Sequence, residues 1–276
     1  MPRLDDLHAK PAYRDEVVLN TEVPQSARVW DRWLNGKDHY PIDRRAADRV
    51  ATILPEIVDA ARHDRAFLSR VVRYLAGEAG VRQFLDIGAG LPTVDNTHEV
   101  AQRVVPDARI VYVDEDPLVV AYARALLYSS HEGTCDTIGA DARDVDTILN
   151  QAAITLDFTR PIGLLLLGIL DHLVDDTEAL ATVERLVAAL APGSHVAIAH
   201  PTAALHGERF HQAMRLVMDM GGPPTVTRTP EQLARFLDGL ELLNPGVVSC
   251  SRWRPDHSPF GTPPEVLQFC GVARKT

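Results

Sequence analysis

Phe84-Leu85-Asp86-Ile87-Gly88-Ala89-Gly90 is the stretch that decides the predicted fold of this chain. An apolar run ends there in two glycines, and a second apolar run ends at Val113-Asp114-Glu115 in acidic residues. The pattern predicts two buried parallel strands, a glycine turn that lets a ligand approach the backbone, and a carboxylate placed to accept hydrogen bonds from a ribose. The sequence therefore predicts an α/β fold with a nucleoside site at these strand ends.

Two classes of nucleoside cofactor compete for this pattern. A nicotinamide site normally has a third glycine, in G-x-G-x-x-G, whereas this chain continues as Gly90-Leu91-Pro92-Thr93. Asp86 precedes the first glycine by two residues, where a carboxylate repels a pyrophosphate but attracts an ammonium or a sulfonium. S-adenosylmethionine is therefore the predicted cofactor, and a nicotinamide-dependent dehydrogenase is the weaker alternative.

The bulk properties of the chain exclude several classes of function. With 276 residues and a formal net charge of -10, the chain fits one α/β domain plus an extension and argues against a nucleic-acid partner. The longest apolar run, residues 162–170, is too short to cross a bilayer, so no membrane partner is expected. Three cysteines without C-x-x-C spacing, and an amino terminus without a secretory pattern, predict a cytoplasmic protein.

The hydrophobic pattern divides the chain into two parts. Apolar residues recur at helical spacing before residue 80, and stops at Asn35-Gly36 and Pro55 separate three predicted helices. After residue 80, short apolar strands alternate with amphipathic helices, which predicts a doubly wound, mostly parallel sheet. The predicted strands are residues 83–87, 110–113, 134–138, 162–167, 195–200, 242–250 and 266–273. The last two leave no room for a crossover helix and predict an antiparallel edge. We expect a helical extension or lid in residues 1–80 and a seven-stranded, Rossmann-like cofactor domain in residues 81–276.

Three stretches of the chain resemble a known family. They are P-Q-S-A-R-V-W-D at 24–31, L-N-G-K-D-H-Y-P-I-D-R at 34–44, and Q-F-L-D-I-G-A-G-L-P-T-V-D-N-T-H-E at 83–99. The chain is similar to the S-adenosylmethionine-dependent methyltransferases long catalogued as a bacterial domain of unknown function, although that family usually has glycine at position 35 and asparagine at position 39. The resemblance implies the class I, Rossmann-like plan and methyl transfer to an unnamed acceptor. A protein that binds the cofactor without transferring its methyl group is the alternative from another class.

The resemblance also implies which residues bind the cofactor. The methionine end would contact Asp86, Gly88 and Gly90, together with Thr93 and Asn96 at the start of the following helix. The ribose would contact Asp114 and Glu115, and the adenine Asp141 and Ala142. Gly168 would lie at the methyl-transfer position, and Tyr40 of the lid would complete the set. The free amides of the helix expected to start between Thr93 and Asn96 would receive the methionine carboxylate. Asn96 also fits a capping box with Glu99, Asp141 also fits a turn cap, and Glu115 is equally consistent with a solvated side chain.

Three histidines, His39, His172 and His200, are candidate catalytic bases, because a neutral imidazole can take a proton at neutral pH. A capping or core role is the favoured interpretation for each of the last two taken alone, and the activated methyl group does not require a base, so the catalytic residue is left open. His206 and His211 are five residues apart, which is poor spacing for shared metal ligation, so no metal is expected.

The polar segment 35–40 joins two predicted helices, and we expect it to form a cover over the cofactor. Trp30 and Trp33 are expected to pack within this helical extension. The chain shows neither a nucleic-acid-binding motif nor a basic amphipathic helix, and a closing cover suits a ligand that can be engulfed. We therefore expect a small-molecule acceptor, while the oligomeric state is left open.

Overall fold

Helices and strands alternate from Gln83 to Asp219 in the computed structural model of the protein, which describes residues 19–256 and 261–276. The first 18 residues of the predicted extension lie outside these ranges. The helices are α1 (Ser26–Trp33), α2 (Pro41–Ile53), α3 (Glu56–Gly77), α4 (Thr97–Val104), α5 (Pro117–Leu126), α6 (Val145–Ala152), α7 (Asp176–Ala189), α8 (Gly207–Asp219) and α9 (Pro230–Arg235). The strands are β1 (Gln83–Ile87), β2 (Arg109–Asp114), β3 (Thr134–Gly139), β4 (Gly163–Leu167), β5 (His195–Pro201), β6 (Glu241–Leu242), β7 (Val248–Ser249) and β8 (Gln268–Arg274).

The strands form one sheet in the order β3-β2-β1-β4-β5-β8-β6, with β7 also paired to β8. The first five strands are parallel, and β8 runs antiparallel to β5, β6 and β7. The doubly wound, mostly parallel plan and its antiparallel edge are therefore confirmed, with eight strands in the described residues where the sequence predicted seven.

The extra strand arises at the predicted strand 242–250, which was wrong as one continuous element. Pro245 has no amide hydrogen to donate, and Gly246 adopts a φ of 87°, so the chain turns instead of extending. The amide of Gly246 donates to the carbonyl of Leu243 at 2.8 Å, which closes that turn. Two short strands, β6 and β7, stand where the single strand was expected.

The site-forming edge of the sheet lies where the strand order reverses, between β1 and β4. Parallel strands end at a common edge, and ligands bind in the crevice at such a reversal. Gly88 leaves β1 with a φ of 78°, and its amide donates to the carbonyl of Val113 at 2.9 Å. A Cβ at Gly88 would lie 2.6 Å from the Cβ of Ile169, so only glycine lets this turn pack against the chain that leaves β4.

The helical extension shares a hydrophobic core with the sheet. Val50 of α2 and Phe67 and Val71 of α3 belong to the same buried cluster as Phe84 of β1 and Leu165 of β4. Burial of apolar surface is the main stabilising contribution to folding, and here it joins the extension to the sheet directly. The helices α1 to α3 therefore cover one face of the sheet and reach over its carboxyl edge.

The connector between α1 and α2, residues 34–40, folds around one carboxylate. The Oδ2 atom of Asp31 accepts hydrogen bonds from the amide of Asp38 at 2.9 Å and from Nδ1 of His39 at 2.7 Å. A Cβ at Gly36 would lie 1.8 Å from Oδ1 of the same aspartate. The shape of the connector is thus fixed by Asp31 and by the missing side chain at position 36.

A second buried carboxylate, that of Asp43, links the residue before α1 to the end of the connector. Its Oδ1 atom accepts from the amide of Gln25 and its Oδ2 atom from the amide of Tyr40, each at 2.9 Å. The guanidinium of Arg28 approaches to 3.7 Å, and both charged side chains are almost completely buried. Asp43 therefore holds the start of α1, the end of the connector and the start of α2 together.

Candidate functional site

A cavity of about 470 Å³ opens at the carboxyl edge of the sheet, beneath α1 and α3. Its floor is formed by the chain segments that follow β1, β2, β3 and β4, and its roof by the helical extension. The predicted site residues that line it are Asp86, Gly88, Gly90, Thr93, Asp114, Glu115, Asp141, Ala142, Gly168 and His172. The fold therefore brings together side chains that are far apart in sequence, and all but two of the predicted cofactor residues are among them.

Asp86 occupies the end of β1 at the cavity floor. Its Oδ2 atom accepts a hydrogen bond from Oγ1 of Thr97 at 2.6 Å. Burial raises the pKa of this carboxyl to about 6, although the Thr97 hydroxyl and the Arg65 guanidinium act in the opposite direction. A buried carboxylate with a raised pKa is stabilised when a cation binds beside it, so this end of the cavity suits a positively charged group.

Asp114 occupies the equivalent position at the end of β2. The amide of Gly90 donates to its Oδ2 atom and the amide of Asp116 to its Oδ1 atom, both at 2.9 Å. Burial raises its pKa to about 6 as well. A carboxylate has about four acceptor sites, so each oxygen can still accept from a ligand hydroxyl. Glu115, the next residue, is exposed at the lip of the cavity.

Asp141 lies at the cavity wall after β3, but its carboxylate is already engaged. The amide of Arg143 donates to Oδ1 at 2.8 Å, which is the predicted turn cap, and the guanidinium of the same arginine binds both oxygens. The Arg143 hydrogen bond is the main reason why the pKa of Asp141 is lowered. The turn fixes the neighbouring Ala142, which lines the cavity.

Asn96 and Tyr40 do not line the main cavity, in contrast to the prediction. Asn96 is the N-cap of α4 and forms the capping box with Glu99, whose carboxylate accepts from the Asn96 amide at 2.8 Å. The helix α4 begins at Thr97, later than the predicted start between Thr93 and Asn96. One of its first free amides, the amide of His98, donates to the hydroxyl of Tyr112 at 2.8 Å. Tyr40 is the N-cap of α2, with its ring 5.3 Å from the guanidinium carbon of Arg28.

Of the three candidate bases, His39 and His200 lie away from the cavity. Nδ1 of His39 is bound to the Asp31 carboxylate, as described for the connector. In His200, Nε2 accepts from the Arg228 guanidinium at 2.9 Å, and Nδ1 donates to the carbonyl of Pro201 at 2.8 Å. Burial lowers the pKa of His200. Both ring nitrogens of His200 are therefore occupied within the protein, which is the arrangement expected for a core histidine.

His172 is the candidate base that the structure places at the cavity wall. Nδ1 lies 3.1 Å from the carbonyl of Pro224, which can only accept, so Nδ1 donates. Nε2 lies 2.9 Å from Oγ of Ser26, the first residue of α1. When only Nδ1 carries a proton, Nε2 accepts from the Ser26 hydroxyl, and the pair links the roof of the cavity to the segment after β4.

Several cavity residues were not identified from the sequence: Ser26, Arg28, Asp64 and Arg65. Most of these contacts join elements distant in sequence, which no local pattern reveals. Asp64 carried a local signal, because it interrupts the apolar stripe that α3 turns toward the core, formed by Ala60, Ala61, Phe67, Leu68 and Val71. A carboxylate on such a stripe is costly unless it serves a ligand or a partner.

Within residues 19–256 and 261–276, no group of three or more His, Cys, Asp or Glu side chains is arranged to hold a metal ion. The same ranges contain no helix that is both long and apolar enough to cross a membrane. Cys135, Cys250 and Cys270 are free.

Comparisons with known proteins give a consistent result. A family model described as S-adenosyl methyltransferase matches residues 13–276. A solved structure of a DUF574 family protein from Streptomyces avermitilis MA-4680 is 37% identical, covers 93% of this chain and 99% of its own, and superposes with a TM-score of 0.89. A structure of a proposed methyltransferase from Thermobifida fusca YX is 40% identical, covers 93% of this chain and 96% of its own, and has a TM-score of 0.84. Comparison with curated proteins gives no match.

Proposed function

The chain belongs to the S-adenosyl methyltransferase family, and from this premise we propose that it methylates a small molecule enclosed between the sheet edge and the helical extension. The enzyme class and the cofactor, S-adenosylmethionine, follow from the family match, which replaces the nicotinamide-dependent alternative. The observation that supports a small acceptor is the cavity of about 470 Å³, because its floor is the cofactor edge of the sheet and its roof is the extension.

The residues at the cavity floor fit this cofactor. Asp86 and Asp114 are carboxylates that form no ion pair within the described residues, and burial raises the pKa of each to about 6. The cofactor carries an ammonium, a sulfonium and ribose hydroxyls, which are the groups that such carboxylates bind. We assign Asp86, Gly88, Gly90 and Thr93 to the methionine end.

The remaining assignments follow the strand ends in order. Asp114, with Glu115 at the lip, is assigned to the ribose, and Asp141 with Ala142 to the adenine. Gly168 is assigned to the methyl-transfer position, where a side chain would narrow the space beside the departing methyl group. Residues 81–276 would bind the cofactor in this scheme, and residues 19–80 of the extension would cover it.

The cofactor supplies an activated methyl group, so the chain contributes alignment and exclusion of water. The glycine turn after β1 and the carboxylate at the end of β2 would fix the donor, and α1 and α3 would close the cavity over it. His172 is the one candidate base that keeps a place at the cavity wall, with Nε2 directed to the Ser26 hydroxyl. In that geometry it can hold the start of α1 against the segment after β4.

We expect S-adenosylmethionine to bind more weakly as the pH falls through 6. The pKa values of Asp86 and Asp114 are raised to about 6 in the free protein, so both lose their charge below that pH. Because the cation and the ribose hydroxyls favour the ionised forms, the dissociation constant should rise on the order of tenfold per group between pH ~7.5 and pH ~5. Calorimetric titration across this range measures it, and Asp86→Asn should flatten the dependence. An affinity that is independent of pH would contradict the assignment.

The small-molecule acceptor is tested by a transfer assay with radiolabelled methyl donor and fractionated bacterial cell extract. We expect label in low-mass compounds, since the net charge of -10 repels phosphate backbones and the cavity is covered. Label found mainly in RNA, DNA or lipid would overturn the proposal, and label found mainly in protein would replace the small molecule with an inserted side chain. Cofactor binding without label in any fraction would favour the alternative of a silent binding protein.

A further inference from the structure

The methionine end of the cofactor carries a carboxylate beside its ammonium, and the sequence predicts that free amides near the start of α4 receive it. Several of these amides are already engaged. The amide of Thr93 donates to Oδ1 of Asn96 at 3.0 Å, and the amide of Asn96 donates to the Glu99 carboxylate at 2.8 Å. The amide of His98 donates to the hydroxyl of Tyr112. This segment therefore offers the carboxylate fewer free donors than the sequence predicts.

The arginines that line the cavity are Arg28, Arg65 and Arg143. Two of them are engaged by carboxylates at other parts of the cofactor edge. Arg143 binds both oxygens of Asp141 after β3, where the adenine is assigned. Arg28 approaches the Asp116 carboxylate to 3.5 Å, close to the end of β2 where the ribose is assigned. Arg65 is the remaining arginine, and it forms no ion pair among the described residues.

Arg65 extends from α3 to the segment that follows the glycine turn after β1. Its Nη2 atom donates to the carbonyls of Val94 at 3.1 Å and Asp95 at 3.0 Å. Nη1 and Nε have no acceptor among the described residues, so their N–H groups are available to a ligand in the cavity. The two carbonyls thus hold the guanidinium in place without neutralising its charge.

The charge of Arg65 acts on the carboxylates at the methionine end without pairing with them. Burial raises the pKa of Asp86 to about 6, and the Thr97 hydroxyl and the Arg65 guanidinium act in the opposite direction. Burial raises the pKa of Asp64 to about 7, and Arg65 is again the main group that opposes it. A cation and a carboxylate that stand apart at one end of a cavity suit a zwitterion, since each attracts the ligand charge of opposite sign.

We propose that Arg65 binds the carboxylate of the methionine part of the cofactor, so that α3 of the extension completes the cofactor site. This inference rests on the proposed function and adds a residue of the roof to its cofactor site. The ammonium and the carboxylate are attached to the same carbon atom, so an ammonium at Asp86 brings the carboxylate to the end of the cavity that Arg65 faces. Nη1 or Nε would donate a charge-assisted hydrogen bond to it.

The contact would make the site selective for ligands with the complete methionine chain. A ligand that keeps the amine but lacks the carboxylate would leave the Arg65 charge uncompensated beside a second positive charge. Decarboxylated forms of the cofactor should therefore bind weakly, although they keep every group that Asp86 and Asp114 recognise.

A comparison of two ligands on the unmodified protein tests this selectivity. Calorimetric titration compares S-adenosylhomocysteine with its decarboxylated analogue, which keeps the adenosine, the sulfur and the amine. We expect the analogue to bind on the order of 10- to 100-fold more weakly, because a charge-assisted hydrogen bond is lost. Equal affinities would overturn the proposal and leave methyl transfer to small molecules standing. Binding of neither ligand would overturn the proposed function as well.

Variants of Arg65 assign the difference to this residue. Arg65→Ala should weaken S-adenosylhomocysteine binding on the order of 10- to 100-fold and should not weaken binding of the analogue. Arg65→Lys keeps the charge and should recover part of the affinity for S-adenosylhomocysteine alone. The matched control is Arg62→Ala, at an exposed position of the same helix where the guanidinium pairs with Asp59 at 3.3 Å.

The paired ligands separate a contact with the carboxylate from a structural role. Because Nη2 of Arg65 also holds the carbonyls of Val94 and Asp95, a purely structural role would weaken both ligands alike in Arg65→Ala. Such a parallel loss would contradict the proposal, as would an unchanged affinity for S-adenosylhomocysteine. Thermal unfolding shows whether each variant is folded, and the comparison on the unmodified protein decides the question if Arg65→Ala is not.

Discussion

We expect Asp43→Ala to lower the free energy of unfolding by at least about 3 kcal/mol, because it removes a buried carboxylate from beside a buried cation. The amides of Gln25 and Tyr40 would lose their acceptors, and the Arg28 guanidinium would lose the charge 3.7 Å away. Arg28 would keep Asp116 at 3.5 Å, but the two partly buried amides would lose their acceptors, which adds a desolvation cost to the lost hydrogen bonds. Urea denaturation followed by circular dichroism measures the change.

The matched control for this prediction is Asp48→Ala on the same helix. Asp48 pairs with Arg32 at the surface, and its side chain is 53% exposed, so its loss should change the unfolding free energy by only about 0.5 kcal/mol. Asp43→Asn, which keeps one carbonyl oxygen, should fall between the two. If Asp43→Ala and Asp48→Ala prove equally stable, the Asp43 carboxylate does not hold α1 and α2 together.

The second large effect concerns the cofactor. Asp114→Ala is expected to weaken binding of S-adenosylmethionine and S-adenosylhomocysteine by at least about 1.5 kcal/mol, because charge-assisted hydrogen bonds to the ribose are lost. The variant also removes the acceptor of the Gly90 amide, so part of the loss arises from a less ordered glycine turn. Calorimetric titration gives the affinity for both ligands.

Asp107→Ala, an exposed substitution in the turn before β2, serves as the control and should leave the affinity unchanged. Asp114→Asn keeps an acceptor oxygen without its charge and should give an intermediate affinity. Binding by Asp114→Ala that equals the wild type would exclude this carboxylate from the ribose site. Thermal unfolding of each variant separates a loss of affinity from a loss of fold.

The sequence predicts best where the signal is local. The spacing of Asn96 and Glu99 identified the capping box, and alternation of strands and helices after Gln83 identified the doubly wound, mostly parallel sheet. The strand 242–250 failed because Pro245 interrupts an otherwise suitable apolar segment. Whether a segment with an internal proline forms one strand or two depends on how it pairs with β8. The sequence of the segment alone does not show that pairing.

In the candidate site, too, the sequence predicted the residues with a local signal and missed those that depend on long-range contacts. Strand-end motifs located Asp86 and Asp114, since each lies directly after its own apolar run. Arg65 was missed because its place in the cavity depends on how α3 packs over the carboxyl edge of the sheet. The partners of His200 could not be predicted for a related reason: Arg228 lies 28 residues away, and only the tertiary fold shows that both ring nitrogens are engaged.

The core shared by the helical extension and the sheet has a consequence for how such enzymes can diverge. Phe67 and Val71 of α3 belong to the buried cluster of β1 and β4, so a change of volume on one side requires a matching change on the other. Replacing the roof helices with those of a relative would therefore also disturb the packing of the sheet. Point substitutions at roof positions that face the cavity, such as Gln25 and Ser26, would change its shape without disturbing this shared core.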